Sequence, residues 1–248
     1  MHLVHEHITR AAIFLLLAAT LFPAGIASAQ SNIDPANKWS WAENAGWANW
    51  YDNGVTSGAF VGTWVLSGFV WAENLGWLYL GSGAPLFGNY YSNAVPGDTG
   101  VNIAPNGDLF GYAWGENIGW VNFATAGIAG PLGAWIEVCC APPGPPAGGR
   151  LHGFVWGENI GWINLEPGSV PPMFIGLAPG VSRAKGDLNG DVLRDGLDIA
   201  DFVATVISPG TATPAEFCAA DMDGDRAVTL ADVPLFVTCL LTGACVCP

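Results

Sequence analysis

The sequence predicts a mainly β protein, an antiparallel hairpin-repeat domain followed by a small α-helical module. Three observations carry this expectation. A seven-residue phrase recurs four times, as WAENAGW from Trp41, WAENLGW from Trp71 and WGENIGW from both Trp114 and Trp156, and recurrence on that scale signals repeated supersecondary units. After Leu165 the text changes to EPGSVPPMFIGLAPGVSRAKG, rich in Pro and Gly and without a period. Acidic residues then crowd into two short stretches, each running into an apolar segment with helical spacing.

From the N-terminus, Arg10, the apolar run Ala11 to Phe22, Pro23 and the small-residue pattern Ala27-Ser28-Ala29 predict a secretory signal peptide over residues 1–29. The run is too short to cross a bilayer as a helix, and no longer uninterrupted one follows. The expectation is a secreted or extracellular, cell-surface-associated protein with no transmembrane segment after processing. A net charge of −14 argues against nucleic acid as a partner. A charged fraction of only 11%, beside 12 Trp and 34 Gly, argues against disorder and suits short strands with tight turns.

All six cysteines lie beyond the signal peptide, where oxidation is open to them. Cys218 and Cys239 are expected in a staple around the last apolar segment, with Cys139 and Cys140 paired elsewhere or free. Cys245-Val246-Cys247 lacks the two-residue gap of a zinc site.

The repeat domain is placed at residues 32–167. Its four phrases start 30, 43 and 42 residues apart. The later three extend back to a shared glycine, in GFVW, GYAW and GFVW, with a further strand before it. Asn106-Gly107, between two apolar runs, predicts one hairpin, and AWIEV followed by a proline-rich loop predicts the equivalent in the fourth copy. One unit is about three strands. Within GFVW and WINL the faces alternate, so Phe154 and Trp156 share one face, and Trp162 and Asn164 share a face of the partner strand. E-N-x-G suits a turn in which Asn bonds its own backbone, closed by Gly46, Gly76, Gly119 or Gly161 in the left-handed region. Each turn then sets two tryptophans across from one another. We read the tryptophans as a repeated core and Glu43, Glu73, Glu116 and Glu158 as turn caps, because a site needs making once whereas a core contact recurs in every repeat. The competing reading gives these aromatics and carboxylates to sugars. The first copy, with Ala45 and Ala48, reads as an N-terminal cap. The strands fit a propeller-like ring, a sandwich or an open array.

Known catalytic motifs are absent: there is no G-x-S-x-G, H-E-x-x-H or G-x-x-x-x-G-K. His152 reads as structural or solvent-facing, and Asp34, Asp52, Asp98, Asp108, Glu137 and Glu166 have no distinguishing context. We assign no catalytic residue, and the enzyme question leans to no.

Residues 168–184 read as a linker and residues 185–248 as the second module. DLNGDVLRDGLD, Asp187 to Asp198, and DMDGDRAVTLAD, Asp221 to Asp232, are each twelve residues long. Oxygen-bearing side chains occupy positions 1, 3, 5, 9 and 12: Asp187, Asn189, Asp191, Asp195 and Asp198, then Asp221, Asp223, Asp225, Thr229 and Asp232. That spacing suits Ca2+, since a loop curled around the ion presents alternate side chains inward while position 7, Leu193 or Ala227, offers its carbonyl. Position 6, which asks for positive φ, holds Val192 and Arg226. IADFVATVI and VPLFVTCLL follow as helices.

Gly186 to Leu241, about a quarter of the chain, resembles a type I dockerin, a duplicated EF-hand-like calcium loop and helix without the usual leading helix. Position 12 is Asp where EF-hands carry Glu. Positions 10 and 11 read Gly196-Leu197 and Leu230-Ala231 in place of the usual small hydroxylated pair. The repeats resemble the W-[SAG]-E-N-x-G-W β-repeats of exported prokaryotic proteins. The first resemblance implies docking onto a cohesin-like or other extracellular protein. The expected function is thus calcium-dependent protein–protein attachment that displays a non-catalytic β domain. The alternative is a polysaccharide-binding or glycoside-hydrolysing protein tethered by the same module.

Overall fold

The computed structural model describes residues 31–51, 58–138, 149–169, 172–173, 175–177, 183–243 and 245. The predicted signal peptide and Cys139, Cys140 and Cys247 lie outside these residues. Among the described residues no helix is long and apolar enough to cross a membrane.

The protein is mainly β. Each W-x-E-N-x-G-W phrase is the turn of one antiparallel hairpin: β1 (Ile33–Ala42) with β2 (Gly46–Asn49), β4 (Leu66–Ala72) with β5 (Gly76–Gly81), β7 (Leu109–Gly115) with β8 (Gly119–Asn122), and β11 (Phe154–Gly157) with β12 (Gly161–Asn164). Neighbouring hairpins pair through β2–β4, β5–β7 and β8–β11, and β12 returns to pair with β1. Eight antiparallel strands therefore close into a barrel, which corrects the propeller-like ring, sandwich or open array expected from the sequence. It also corrects the first copy's role, because β1 has a neighbour on both sides and caps nothing.

Short outer strands extend the sheet. β3 (Ala59–Val61) pairs with β4, and β6 (Val101–Ile103) pairs with β7 through the expected Asn106-Gly107 turn. β9 (Trp135–Glu137) pairs with β10 (Arg150–His152). β13 (Gly168–Ser169) and β14 (Pro172–Met173) form a two-stranded ribbon. β15 (Ile175–Leu177), in the stretch read as a linker, joins β1 to β10 with Ile175 and Leu177 fully buried. The shared upstream glycines lie where these additions meet the barrel. At Gly68, φ is +82° and a Cβ would come within 2.1 Å of the Gly58 carbonyl oxygen, so no other residue fits without moving backbone.

The core is aliphatic. Ser40 and Ala48, Val70 and Leu78, Ala113 and Val121, and Val155 and Ile163 are directly opposed pairs facing the barrel interior. The next inward residues, Trp50, Leu80, Phe123 and Leu165, are fully buried. Small residues in the first copy have a packing reason. Ala42, Ala45 and Ala48 line the same interior as Trp50, which is 2% exposed and donates its indole N–H to Ser40 Oγ at 2.9 Å. The bulk that the first copy lacks at its turn is restored by one indole.

The C-terminal segment contains α2 (Ile199–Ile207), α3 (Pro214–Ala220) and α4 (Asp232–Thr242), after the one-turn α1 (Ala126–Ala129) of the β domain. α3 was missed by sequence reading, although Thr213-Pro214-x-Glu216 signals it. Thr213 Oγ1 accepts from the Glu216 N–H, while the Glu216 carboxylate accepts from the Thr213 N–H. Phe202, Phe217, Met222, Val228 and Phe236 form a second, smaller core.

Candidate functional site

Two regions hold chemistry, the outer face of the barrel and the paired acidic loops.

In every hairpin the two tryptophans are directly opposed, Trp41 with Trp47, Trp71 with Trp77, Trp114 with Trp120 and Trp156 with Trp162. Their ring centroids are 4.8, 4.6, 4.7 and 5.0 Å apart. They stand outside the barrel, not in its core. Trp41, Trp47, Trp114, Trp120 and Trp156 are 36–42% exposed and the other three are half-buried. This corrects the repeated-core expectation for them. The cause is alternation: once Val70, Leu78, Val121, Val155 and Ile163 fill the interior, their neighbours along each strand must face out. Each pair gains a third aromatic two residues before its first Trp, namely Trp39, Phe69, Tyr112 and Phe154, with centroids 6.0–6.5 Å from the second Trp.

The turns are built alike. Ala45, Leu75, Ile118 and Ile160 donate their N–H back to Ala42, Ala72, Gly115 and Gly157, and Gly46, Gly76, Gly119 and Gly161 follow at φ +76° to +82°, as expected. The turn asparagines do not bond their own backbone. Asn74 Nδ2 donates to the Ala45 carbonyl, Asn117 to Leu75, Asn159 to Ile118 and Asn44 to Ile160, at 2.9–3.2 Å. Each hairpin is thus tied to the one before it, and the four bonds run round the barrel end as a closed ring. Nor do the glutamates cap anything. The carboxylates of Glu43, Glu73, Glu116 and Glu158 are exposed and accept no hydrogen bond among the described residues.

Between hairpins lie clefts that share two tryptophans, an asparagine and a glutamate. A cleft of about 650 Å³ is lined by Trp47, Asn49, Trp71 and Glu73. Two of about 450 Å³ are lined by Trp120, Asn122, Trp156 and Glu158, and by Trp162, Asn164, Trp41 and Glu43. The fourth junction has Tyr79 opposite Trp114, where the others have Asn.

The two acidic loops share one pattern of backbone N–H bonds to their oxygen-bearing side chains, and the first adds a bond from Asn189 Nδ2 to Asp191 at 3.2 Å. Asp187 accepts from Gly190 and Val192, Asn189 Oδ1 from Asp191, Asp191 from Leu193, and Asp195 from Leu197. Asp198 Oδ1 accepts from Leu188 and Asn189, and its Oδ2 from Asp195. In the second loop Asp221 accepts from Gly224 and Arg226, Asp223 from Asp225, Asp225 from Ala227, and Thr229 from Ala231, while Asp232 binds Met222, Asp223 and Thr229. Carboxylate oxygens of Asp221, Asp223 and Asp225 lie within 4.8 Å of one another. The first and last acids of each loop are buried and the intervening ones exposed, apart from half-buried Asp195. Val192 and Arg226 stand at φ +74° and +68°, the bend expected at position 6.

The second loop leans on the barrel. The Arg226 guanidinium pairs with the Asp108 carboxylate, donates to the Asn106 carbonyl at 3.4 Å and lies 4.4 Å over the Trp135 ring. Trp135 stacks in turn on His152 at 4.1 Å. His152 Nδ1 is 2.8 Å from Glu166 and Nε2 is 3.6 Å from Glu137, while Arg150 pairs with Glu166 at 2.9 Å. Burial lowers the His152 pKa, but its bonds to Glu137 and Glu166 outweigh this and raise it above the ordinary value. The His152 hydrogen bond holds Glu166 below the usual carboxylate range, against its partial burial. These groups, without context in the sequence, form a half-buried polar cluster around buried His152, behind the Arg226 contact. Lys185, beside it, donates to the Asp221 carbonyl and is 3.7 Å from its carboxylate. Burial pushes Lys185 down and Asp221 up, against their mutual attraction.

The expected Cys218–Cys239 bond is not formed. Cys239 pairs with Cys245, six residues on, and Cys218 is bonded elsewhere. Cys218 sits in α3 against the barrel core while Cys239 is buried in the second core, so the two face different packing centres. The chain matches no family model, no curated protein and no solved structure.

Proposed function

We propose that this is a secreted, non-catalytic attachment protein, whose dockerin-like C-terminal module binds two calcium ions and docks onto an extracellular protein of the cohesin kind. The barrel is then displayed at the cell surface or in an extracellular assembly. The observation that carries the reading is the shared pattern of backbone N–H bonds in the loops at Asp187 and Asp221. In each, position 1 and position 12 carboxylates are buried across the loop, positions 3 and 5 are held by Asx-type bonds, and position 6 bends through positive φ. Asp187, Asn189, Asp191, Asp195, Asp198 and the Leu193 carbonyl would hold one ion. Asp221, Asp223, Asp225, Thr229, Asp232 and the Ala227 carbonyl would hold the other. Oxygen ligands in such a curl suit a hard cation of calcium's size. Neutralising eight aspartates would relieve their mutual repulsion and couple binding to folding.

Support for a protein partner comes from the surface beside the loops. Leu197 is 68% and Leu230 is 78% exposed, and they continue into exposed Ile199, Val203 and Ile207 on α2 and Leu235, Val237 and Leu241 on α4. Two related apolar stripes of this kind mark an interaction surface. The test is a binding titration of the full secreted chain against a recombinant cohesin domain, in calcium and in EDTA. Calcium-dependent binding is expected, and equal binding or none in both overturns the reading.

A second reading, a polysaccharide-binding barrel, is favoured by one observation, the outward placement of the paired tryptophans. Sugar recognition needs exposed rings.

A further inference from the structure

We infer that the barrel carries three related clefts, at the β2/β4, β8/β11 and β12/β1 junctions, each binding a neutral pyranose with equatorial hydroxyls. This rests on the polysaccharide-binding reading and names its site and its sugar.

The asparagine of each cleft carries the argument. Asn49, Asn122 and Asn164 each accept, through Oδ1, the backbone N–H two residues on, from Tyr51, Ala124 and Glu166, at 2.8–3.0 Å. That bond fixes which end of the amide is oxygen and turns the NH2 group outward, where among the described residues it meets no acceptor. Opposite each asparagine, in register, stands the first tryptophan of the next hairpin: Trp71, Trp156 and Trp41. The second tryptophan of its own hairpin, Trp47, Trp120 or Trp162, forms the other wall. A glutamate with no partner among the described residues completes each cleft, so two indole walls enclose one oriented donor and one acceptor.

That combination matches a sugar ring. A pyranose with equatorial hydroxyls has a flat C–H face to lay on an indole and a rim of hydroxyls that both donate and accept. Among the described residues no Lys or Arg lines the clefts at β8/β11 and β12/β1, Lys38 Nζ lies 5.5 Å over Trp39 at the first, and each cleft holds a carboxylate, which selects against uronic or sulfated chains most clearly at the two without a lysine. Volumes of about 450–650 Å³ fall within the range of small-ligand sites. Neighbouring junctions are two strands apart, about 10 Å along the sheet, close enough for one chain to engage more than one cleft.

The test uses the full secreted chain with cellohexaose in calorimetry and hydroxyethylcellulose in affinity electrophoresis, beside polygalacturonate. The key variant is Asn49→Asp, Asn122→Asp and Asn164→Asp together, which keeps the turn's acceptor and replaces the outward amide donor with a charged carboxylate oxygen. Cellohexaose binding should occur in the parent and fall at least tenfold in the triple variant, with melting behaviour retained. Tyr79→Asn should raise affinity for hydroxyethylcellulose by placing the same amide opposite Trp114 at the fourth junction. Undiminished binding by the triple variant overturns the site. Binding of polygalacturonate alone overturns the sugar assignment while leaving the polysaccharide reading standing. No binding to either overturns both.

Discussion

Phe202 and Phe236 lie face to face, with ring centroids 3.8 Å apart and planes 4° from parallel. They stand at corresponding places after the first and second acidic loops, so the stack joins the two halves of the duplicated module through the same side chain used twice. Phe236→Ala should remove about 3 kcal/mol of stability. It should weaken calcium binding at both loops, and two-site calorimetry, compared with the parent, would show one site spared if the halves were independent.

The ring of turn asparagines predicts a graded effect. Asn117→Ala loses one hydrogen bond, worth about 1 kcal/mol, and Glu116→Gln, at an exposed side chain with no partner among the described residues, should leave stability unchanged. Gly119→Val should cost more than either, on the order of 2 kcal/mol, because φ there is +78° and a Cβ would lie 2.9 Å from Asn159 Nδ2. Chemical denaturation of the three variants gives the order directly.

Under the proposed calcium assignment, loops bent at a non-glycine residue should bind more tightly when glycine is supplied. Val192 is β-branched, at φ +74° and 80% exposed, so Val192→Gly relieves strain and loses no contact. About tenfold tighter binding at the first loop is expected, equivalent to about 1.4 kcal/mol. Arg226→Gly relieves a smaller strain and gives up the Asp108 and Trp135 contacts, so its gain should be smaller or negative. Calorimetric titration of both variants decides, and equal gains would contradict the assignment of the bend.

Stability should vary with pH through His152 and Glu166. The His152 contribution is fully present below the unfolded value of 6.5 and fades as pH rises through its raised folded pKa. Glu166 contributes fully above its unfolded value of 4.5 and loses that as pH falls through its lowered folded pKa. Arg150, paired with Glu166, opposes the first effect and supports the second. Melting temperature should therefore plateau between these values and decline on both sides, with His152→Gln flattening the alkaline limb.

Much of this was legible in the sequence, for local reasons. The hairpins, the positive-φ glycines and the bends at Val192 and Arg226 follow from residues within a dozen positions of one another. Closure of the barrel does not, because pairing of Trp41 with Asn164 joins chain ends that no local pattern relates. The inward face was misjudged because both faces of β4, β7 and β11 are apolar, one of Val and Ala, the other of Trp, Phe and Tyr. Volume decides between them: an eight-stranded barrel has room for the aliphatic set and not for eight indoles. The donor role of Asn49, Asn122 and Asn164 had a faint signal, the recurrence of Asn two residues after the second Trp in three copies of four.

Because β12 returns to β1 and Asn44 answers to Ile160, the barrel has no first repeat. An open array could lengthen or shorten by whole units and remain itself, whereas here the number four is fixed by circumference, and losing a unit would leave two raw edges. The place where the chain enters is, by the same logic, arbitrary. A gene rearranged to begin at the third hairpin, with β12 spliced to β1, would describe the same object.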